Sequence, residues 1–439
     1  MLIISREDMS KEELVTAHKR IYDNLHGFIR FDEVEKAIID SKAFQRLHYV
    51  RQLGITYLIY PGATHSRFEH SLGVMEIATR IFSRLCKTIR PDLFAFVPRK
   101  GSLEYLYWKK ILRLAALCHD LGHLPFSHVA ERDIFPEHGH EKMTIEVIKS
   151  FSEYWQMLAD NPKFKLNRNV EDDVIKIAIG EYKLNKLYPD ASYKFSTWEK
   201  ILSAIITGDF FGSDRIDYLL RDAHATGIKY GAFDYLQLIE MLRILPDPQT
   251  DEWRMGIDER GLESCEALFL ARYFMHKRIY QYAPIKAYNF HLRRFMRKVI
   301  EKKELLSVRS FLRMNDIVVL DLMTKIAEEK NHPGHFDAKS IICRQNHYKA
   351  IALPAYVTEG DLLSFKKRHG IADDEIEWEF EKPKDVNQDF TFPVFRHHLP
   401  MQKAYEASPL LASLPSLAIN WLYLAEPFEL LFLETIKEN

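Results

Sequence analysis

The chain has 439 residues, 47% of them hydrophobic and 28% charged, with 61 basic residues against 62 acidic ones and a formal net charge of −1. That composition describes a folded globular chain, long enough for two or three domains, and excludes a disordered or low-complexity one. The balanced charge disfavours non-specific nucleic-acid binding. Cys86, Cys118, Cys265 and Cys343 form no C-x-x-C pair, which argues against a zinc ribbon or a disulfide framework.

In chain order, Met1 to Asp8 turns acidic and polar too early for a signal peptide. Residues 11 to 53 read as helical: Asp32 can cap a helix carrying Val34, Ala37, Ile38 and Ile39, and Ala43, Phe44, Leu47, Val50 and Leu53 follow at spacings of three and four. Ile55 to Tyr60 is apolar and partly β-branched, so an extended piece is predicted, closed by Pro61-Gly62. A helix then starts near Ser66 or Arg67. Val74, Ile77, Ala78, Ile81 and Leu85 form its apolar stripe, and His70 lies on the same inward face. Another helix is predicted from Leu103 to Leu121 with Gly122 as its cap, which puts His119 and Asp120 in its last turn.

His65, His70, His119, Asp120, His123, His128 and His140 crowd this part of the chain. Imidazole and carboxylate together suit a divalent ion such as Mn, Fe, Ni or Zn, with Mg as a further choice. Neighbouring helix positions point about 100° apart, so His119 and Asp120 can share an ion only if it sits against their helix.

Residues 152 to 196 read as a helical pair joined by an exposed loop, and Trp198 to Thr207 as an apolar helix. On the next helix Asp214, Asp217, Tyr218, Arg221 and Asp222 share one polar face, opposite Ile216, Leu219, Leu220 and Ala223. Periodicity alone makes that face solvated, with an Asp217–Arg221 pair. Glu252 to Ile257 with the turn Asp258 to Gly261 reads as a small β-hairpin, and a long helix is predicted from Leu262 to about Lys303, interrupted near Pro284. Beyond Asp337, strands are predicted over Tyr348 to Leu353, Glu375 to Glu381 and Phe390 to Phe395, with a helix over Asp361 to His369. The apolar run Leu410 to Leu433 is broken by Pro415, Asn420, Glu426 and Pro427 and reads as buried core; no stretch of 18 apolar residues occurs. A reducing, cytoplasmic setting is expected.

The blocks S-R-F-E-H-S-L-G-V, L-C-H-D-L-G-H-L-P-F-S-H, H-E-K-M-T and D-R-I-D-Y-L-L-R-D-A together resemble the HD-domain phosphohydrolases, over about residues 20 to 300. The resemblance is greatest to deoxynucleoside triphosphate triphosphohydrolases of the bacterial kind, without a sterile-alpha-motif domain. It implies a mainly α fold: an HD-type helical core over residues 1–304 with a small β-hairpin, then a C-terminal α+β extension over 305–439. It implies that His70, His119, Asp120 and Asp214 hold a divalent metal, which overturns the solvated face for Asp214. By the same resemblance His140 protonates the leaving oxygen. Glu131, an Asp in some relatives, orients it, and His123 is the alternative acid. Arg67, His123, His128 and Arg215 match phosphate-contacting positions, and Tyr218 a phosphate or sugar contact. Gln52 and Asp222 match readers of the 3′-hydroxyl, Leu53 packs beneath the sugar, and Arg272, His276, Tyr280 and Gln281 match a phosphate, sugar and base wall. The implied substrate is a deoxynucleoside triphosphate, and the implied assembly a homo-oligomer, dimer or tetramer. Two other readings stand beside it: an HD phosphohydrolase of a nucleoside monophosphate, cyclic nucleotide or alarmone, and a nucleotide-binding regulator with little turnover.

Overall fold

The computed structural model describes residues 19–439 except 88–90, 130, 132–138, 301–306, 346–347, 355, 381–389, 416–419 and 438–439. The chain is mainly α-helical and separates into two compact units, each drawn from three stretches: residues 1–48, 67–122 and 141–217 in the first, 49–66, 123–140 and 218–439 in the second.

The first unit opens with an antiparallel hairpin, β1 (Lys19–Asp23) and β2 (Gly27–Phe31), paired from Lys19↔Phe31 to Asp23↔Gly27. This corrects the helical reading of 11 to 53; residues before 19 lie outside the described residues. Gly27 has φ +72°, a conformation the turn needs and glycine adopts without strain. The capped helix is as expected: α1 (Glu33–Ile39) starts from a capping box in which Asp32 accepts from the Glu35 amide and Glu35 from the Asp32 amide. The core is built from α2 (Arg67–Lys87), α3 (Leu103–Cys118), α4 (Glu141–Lys149), α5 (Val170–Ile179) and α6 (Thr197–Thr207). Helix α3 lies at its centre, with Ile111, Leu112, Leu114 and Ala115 wholly buried, and α2 packs on it through the predicted stripe of Val74, Ile77, Ala78 and Ile81. Its charged residues Lys110 and Arg113 meet the buried Glu35 carboxylate.

Helix α7 (Ser213–Thr226) gives residues 213–217, with Asp214 and Asp217 among them, to the first unit and residues 218–226 to the second. In the second unit, Thr56–Leu58 is a 3₁₀ turn, where an extended piece was predicted. The hairpin lies upstream of its predicted place. β3 (Leu242–Pro246) pairs with β4 (Trp253–Asp258), and Glu259–Gly261 is a short 3₁₀ turn into the next helix. Helix α8 (Leu262–Met275) runs into a π-helical turn, His276–Tyr280, before α9 (Ala283–Val299) starts with Pro284 in its first turn. Thus the predicted interruption exists and contains a π turn, a feature that recurs at functional sites.

The C-terminal portion carries α10 (Asp316–Ile326), α11 (His335–Ile342) and α12 (Glu359–Arg368). Its sheet has the order β5 (Tyr348–Ala352), β9 (Trp421–Ala425), β6 (Ile376–Glu379), and α13 (Glu426–Lys437) follows β9. The third predicted strand is instead β7 (Pro393–Phe395), parallel to β4 and antiparallel to β8 (Gln402–Lys403). No helix among the described residues is long and apolar enough to cross a membrane.

Candidate active site

Helix α2 places His70 one turn past its start, wholly buried in the first unit. His119 and Asp120 leave the end of α3 rather than occupying its last turn: the helix stops at Cys118 and both residues sit in the following turn. Asp214 enters from the first turn of α7. The four predicted metal-binding residues therefore converge from three helices. His70 Nε2 lies 3.1 Å from Asp214 Oδ1 and 3.5 Å from Asp120 Oδ2. His119 Nε2 lies 3.3 Å from Asp120 Oδ1 and 3.8 Å from Asp214 Oδ1.

Each imidazole is held by its other nitrogen. His119 Nδ1 donates to the Ala116 carbonyl at 2.7 Å, which fixes the tautomer and turns Nε2 towards the carboxylates. That Nε2 is buried and has no hydrogen-bond partner among the described residues, an acceptor waiting for an electrophile. His70 Nδ1 donates to Asp217 Oδ2 at 2.7 Å, and His26 Nε2 donates to Asp217 Oδ1 at 2.7 Å. This carboxylate behind an imidazole is the arrangement that orients metal-binding histidines. Arg67, buried at the start of α2, donates to Asp120 Oδ2. Burial by itself disfavours charge on His70, but hydrogen bonds to Asp214 and Asp217 and the charges of Asp217 and Asp120 outweigh it and raise its pKa to about 10. Burial likewise opposes the Asp214 carboxylate, and the histidines His119 and His70 hold it well below the usual carboxylate range all the same. A divalent cation would answer the same carboxylates. The oxygen and nitrogen donors fit such an ion.

The polar face of α7 is not solvated. Asp217, Arg221 and Asp222 are all buried. The sequence reading placed Asp217 only on a solvated face, paired with Arg221, and did not single out His26. An aspartate three residues after Asp214 was the available signal; nothing in the local pattern flags His26.

The second unit holds its own cluster, centred on the buried Glu131 carboxylate. His123 Nδ1 donates to Glu131 Oε1 at 2.5 Å, and His128 Nδ1 and His140 Nδ1 donate to Oε2 at 2.9 and 3.3 Å. The His123 and His140 rings stack with centroids 3.7 Å apart. Burial pushes the Glu131 carboxyl up, but the charge of His123 and hydrogen bonds from the three histidines hold it well below its usual range. His123 is buried and His128 exposed. The loop bearing them bends at Pro125 through Phe126 and Ser127, at φ 58° and 60°, left-handed conformations that cost non-glycine residues roughly 1–2 kcal/mol each. Asp316, the first residue of α10, holds the bend: its Oδ1 accepts from the Phe126 amide at 2.7 Å and its Oδ2 from the Arg51 amide at 2.9 Å.

The predicted sugar and base residues also lie in the second unit. Gln52 and Leu53 sit in a turn after residue 50. Tyr218 and Asp222 are on α7, Arg272 is in the last turn of α8, His276 and Tyr280 lie on the π turn and Gln281 directly follows it. The Tyr280 hydroxyl donates to Asp222 Oδ2 at 2.7 Å, and the Tyr280 ring meets those of Tyr218 and His276 at centroid distances of 5.9 and 5.0 Å. Arg215 belongs to the first unit, where its buried Nε and Nη1 have no partner among the described residues.

A family model for the HD domain matches residues 67–181, and one for the HD associated region matches residues 233–360. An uncharacterised protein of Methanocaldococcus jannaschii is 32% identical over 309 residues, 70% of this chain and 55% of that protein. The deoxynucleoside triphosphate triphosphohydrolase SAMHD1 of Bos taurus is 33% identical over 283 residues, 60% of this chain and 44% of that protein. The chain thus spans about half the length of the curated relatives it matches. Among solved structures, a hypothetical protein from Aquifex aeolicus superimposes with a TM-score of 0.73 at 32% identity, covering 94% of this chain and 97% of the other. A Bacteroides thetaiotaomicron phosphohydrolase shares the fold at 22% identity, with a TM-score of 0.70 over 93% and 99%.

Proposed function

Because this chain belongs to the HD-domain phosphohydrolase superfamily, we propose that it hydrolyses deoxynucleoside triphosphates to deoxynucleoside and triphosphate. The observation that carries the hydrolytic reading is the convergence of His70, His119, Asp120 and Asp214, with the buried His119 Nε2 lacking a partner. The triphosphate reading is supported by the relatives named as deoxynucleoside triphosphate triphosphohydrolases. It is supported too by Arg67, His123, His128, Arg215 and Arg272, more groups able to carry positive charge than a monophosphate needs.

In this reading His70, His119, Asp120 and Asp214 hold a divalent ion, which when bound supplies Lewis acidity towards phosphate oxygen and water. The remaining steps belong to the chain. Asp217 and the Ala116 carbonyl fix the rings of His70 and His119. The Glu131 carboxylate accepts hydrogen bonds from Nδ1 of His123, His128 and His140, each of which keeps its Nδ1 proton, so each ring presents Nε2 away from it. His140 Nε2 then gives its proton to the departing 5′ oxygen. Arg67, Arg215 and His128 meet phosphate oxygens. Gln52 and Asp222 read the 3′-hydroxyl, and Tyr280 crowds the 2′ carbon against a ribose. The enzyme is assigned to the cytoplasm and to a homo-oligomer, which light scattering would test.

Incubation of metal-loaded protein with each dNTP and NTP, singly and in mixtures, with separation of products, tests the reaction. Triphosphate release from dNTPs is expected; orthophosphate or pyrophosphate release moves the protein to another HD phosphohydrolase reaction, and tight binding without turnover makes it a regulator. His140→Ala should keep its metal and lose roughly 10²- to 10⁴-fold in turnover, the range of a general acid. Near-normal turnover in that variant would pass the role to His123.

A further inference from the structure

We propose that His65 is a substrate-contacting specificity residue, whose Nδ1 accepts the proton of a sugar hydroxyl; the inference rests on the deoxynucleotide reading above. Residues 51 and 66 form an isolated antiparallel bridge, and the Gln52 amide donates to the His65 carbonyl at 3.1 Å. Opposite residues of an antiparallel pair share a face, so the side chains of Gln52 and His65 stand together.

The His65 side chain is only 7% exposed, and its Nε2 donates to Asp222 Oδ1 at 2.6 Å. Asp222 is also deeply buried, and its other oxygen accepts from the Tyr280 hydroxyl. The imidazole is therefore locked in one orientation by a carboxylate whose two oxygens are both engaged. In the neutral ring with its proton on Nε2, Nδ1 is an acceptor. That Nδ1 is buried without a hydrogen-bond partner among the described residues, and so is Gln52 Oε1 on the same face. Buried polar atoms are rarely left unpaired without a purpose. Two of them, flanked by Asp222 and Tyr280, define a place for a small donor.

The chemistry selects a hydroxyl. It gives its proton to His65 Nδ1, and with the Gln52 amide turned so that its Nε2 faces the ligand, Gln52 donates to the hydroxyl oxygen. On a deoxynucleotide that group is the 3′-hydroxyl. Asp222 then reads the 3′-hydroxyl through His65, which it orients, while Gln52 completes the contact.

The experiment compares kcat/KM for a dNTP and its 3′-deoxy analogue in the unmutated protein and in His65→Ala, His65→Gln and His65→Asn. A glutamine reaches the position of Nε2 and keeps the bond to Asp222; an asparagine reaches the position of Nδ1 and keeps the acceptor. We expect the unmutated protein to favour the dNTP by about 10- to 100-fold, the worth of one buried contact. The preference should vanish in His65→Ala and His65→Gln, through loss on the dNTP alone, and return in part in His65→Asn. If His65→Gln keeps the preference while His65→Asn loses it, His65 merely supports Asp222 and the inference fails. An unchanged preference in all three also overturns it. Should His65→Ala fail to fold, the Gln and Asn pair decides. Failure of the unmutated protein to release triphosphate from any dNTP would instead overturn the functional reading, and this inference with it.

Discussion

Two charge clusters in the first unit, one around Glu35 and one around Asp214, differ in one respect. Around Glu35, every charged atom is met. Glu35 is almost fully buried and accepts from Lys110 Nζ at 2.5 Å, Arg113 Nε at 2.7 Å and Arg113 Nη2 at 2.9 Å, while Arg113 Nη1 donates to Thr79 Oγ1 at 2.7 Å. Burial raises the Glu35 carboxyl, and the charges and hydrogen bonds of Arg113 and Lys110 carry it well below the usual range. Around Asp214 the carboxyl is likewise held far down, yet His119 Nε2 and two nitrogens of Arg215 have no partner among the described residues. Burial and a displaced pKa are common to both clusters. What separates a strut from a site is the unmet valence, since structural ion-pair networks perturb pKa values as strongly as catalytic ones.

Substitutions should fall on the two sides of that line. The largest effect belongs to Asp120→Ala, which should abolish both metal loading and turnover. Full metal occupancy in that variant, by elemental analysis, would remove Asp120 from the metal centre. Glu35→Ala should cost about 3–5 kcal/mol of stability, the usual penalty for stranding buried cations, with metal content unchanged. A denaturant titration showing stability intact but metal lost would merge the two clusters into one. His26→Ala, two bonds removed from the metal centre through Asp217, should weaken metal binding by about 10- to 100-fold, as losses behind a metal-binding imidazole do. Competition with a chromogenic chelator would measure it; unchanged affinity would mean Asp217 alone sets the ring of His70.

The smallest effect sharpens the comparison from the second unit, where the wholly buried Asp337 is met by His291, Arg294 and Lys298. Burial raises its carboxyl, but those partners lower it from 3.8 to about 2. A folded pKa below the unfolded one adds stability at pH above 3.8, and that stability is lost as pH falls towards 2. The contribution is about 2 kcal/mol. Asp337→Asn should flatten the stability profile in that window; an unaltered acid limb would place the charge pairing outside the folding equilibrium.

The catalytic blocks were legible because metal and proton chemistry demands particular residue types at fixed spacing, and His70, His119, Asp120 and Asp214 do converge. One helix start was legible from its cap, at Asp32. Other features were not local. The face of α7 carries an Asp217–Arg221 spacing that serves a solvated helix equally well, and only tertiary burial distinguishes the cases. The hairpin of β1 and β2 escaped notice because Tyr22 and Phe28 pack on each other in solvent, 5.1 Å between centroids, and so blur the alternation. Strand β9 read only as core. Leu422 and Leu424 face one apolar cluster and Tyr423 another, and a strand covered on both faces shows no period.

The Asp316 carboxylate has a consequence for anyone who would cut the chain. It lies 190 residues from Phe126 and 265 from Arg51, the two amides it receives. A fragment stopped at residue 304 would contain every histidine and aspartate of the catalytic motifs and still lack the anchor of a left-handed bend. Transplanting residues 1–304 onto a relative's C-terminal portion would meet the same difficulty unless the recipient supplies an acidic residue at that helix start. The C-terminal portion thus acts as the jig in which the histidine loop is set.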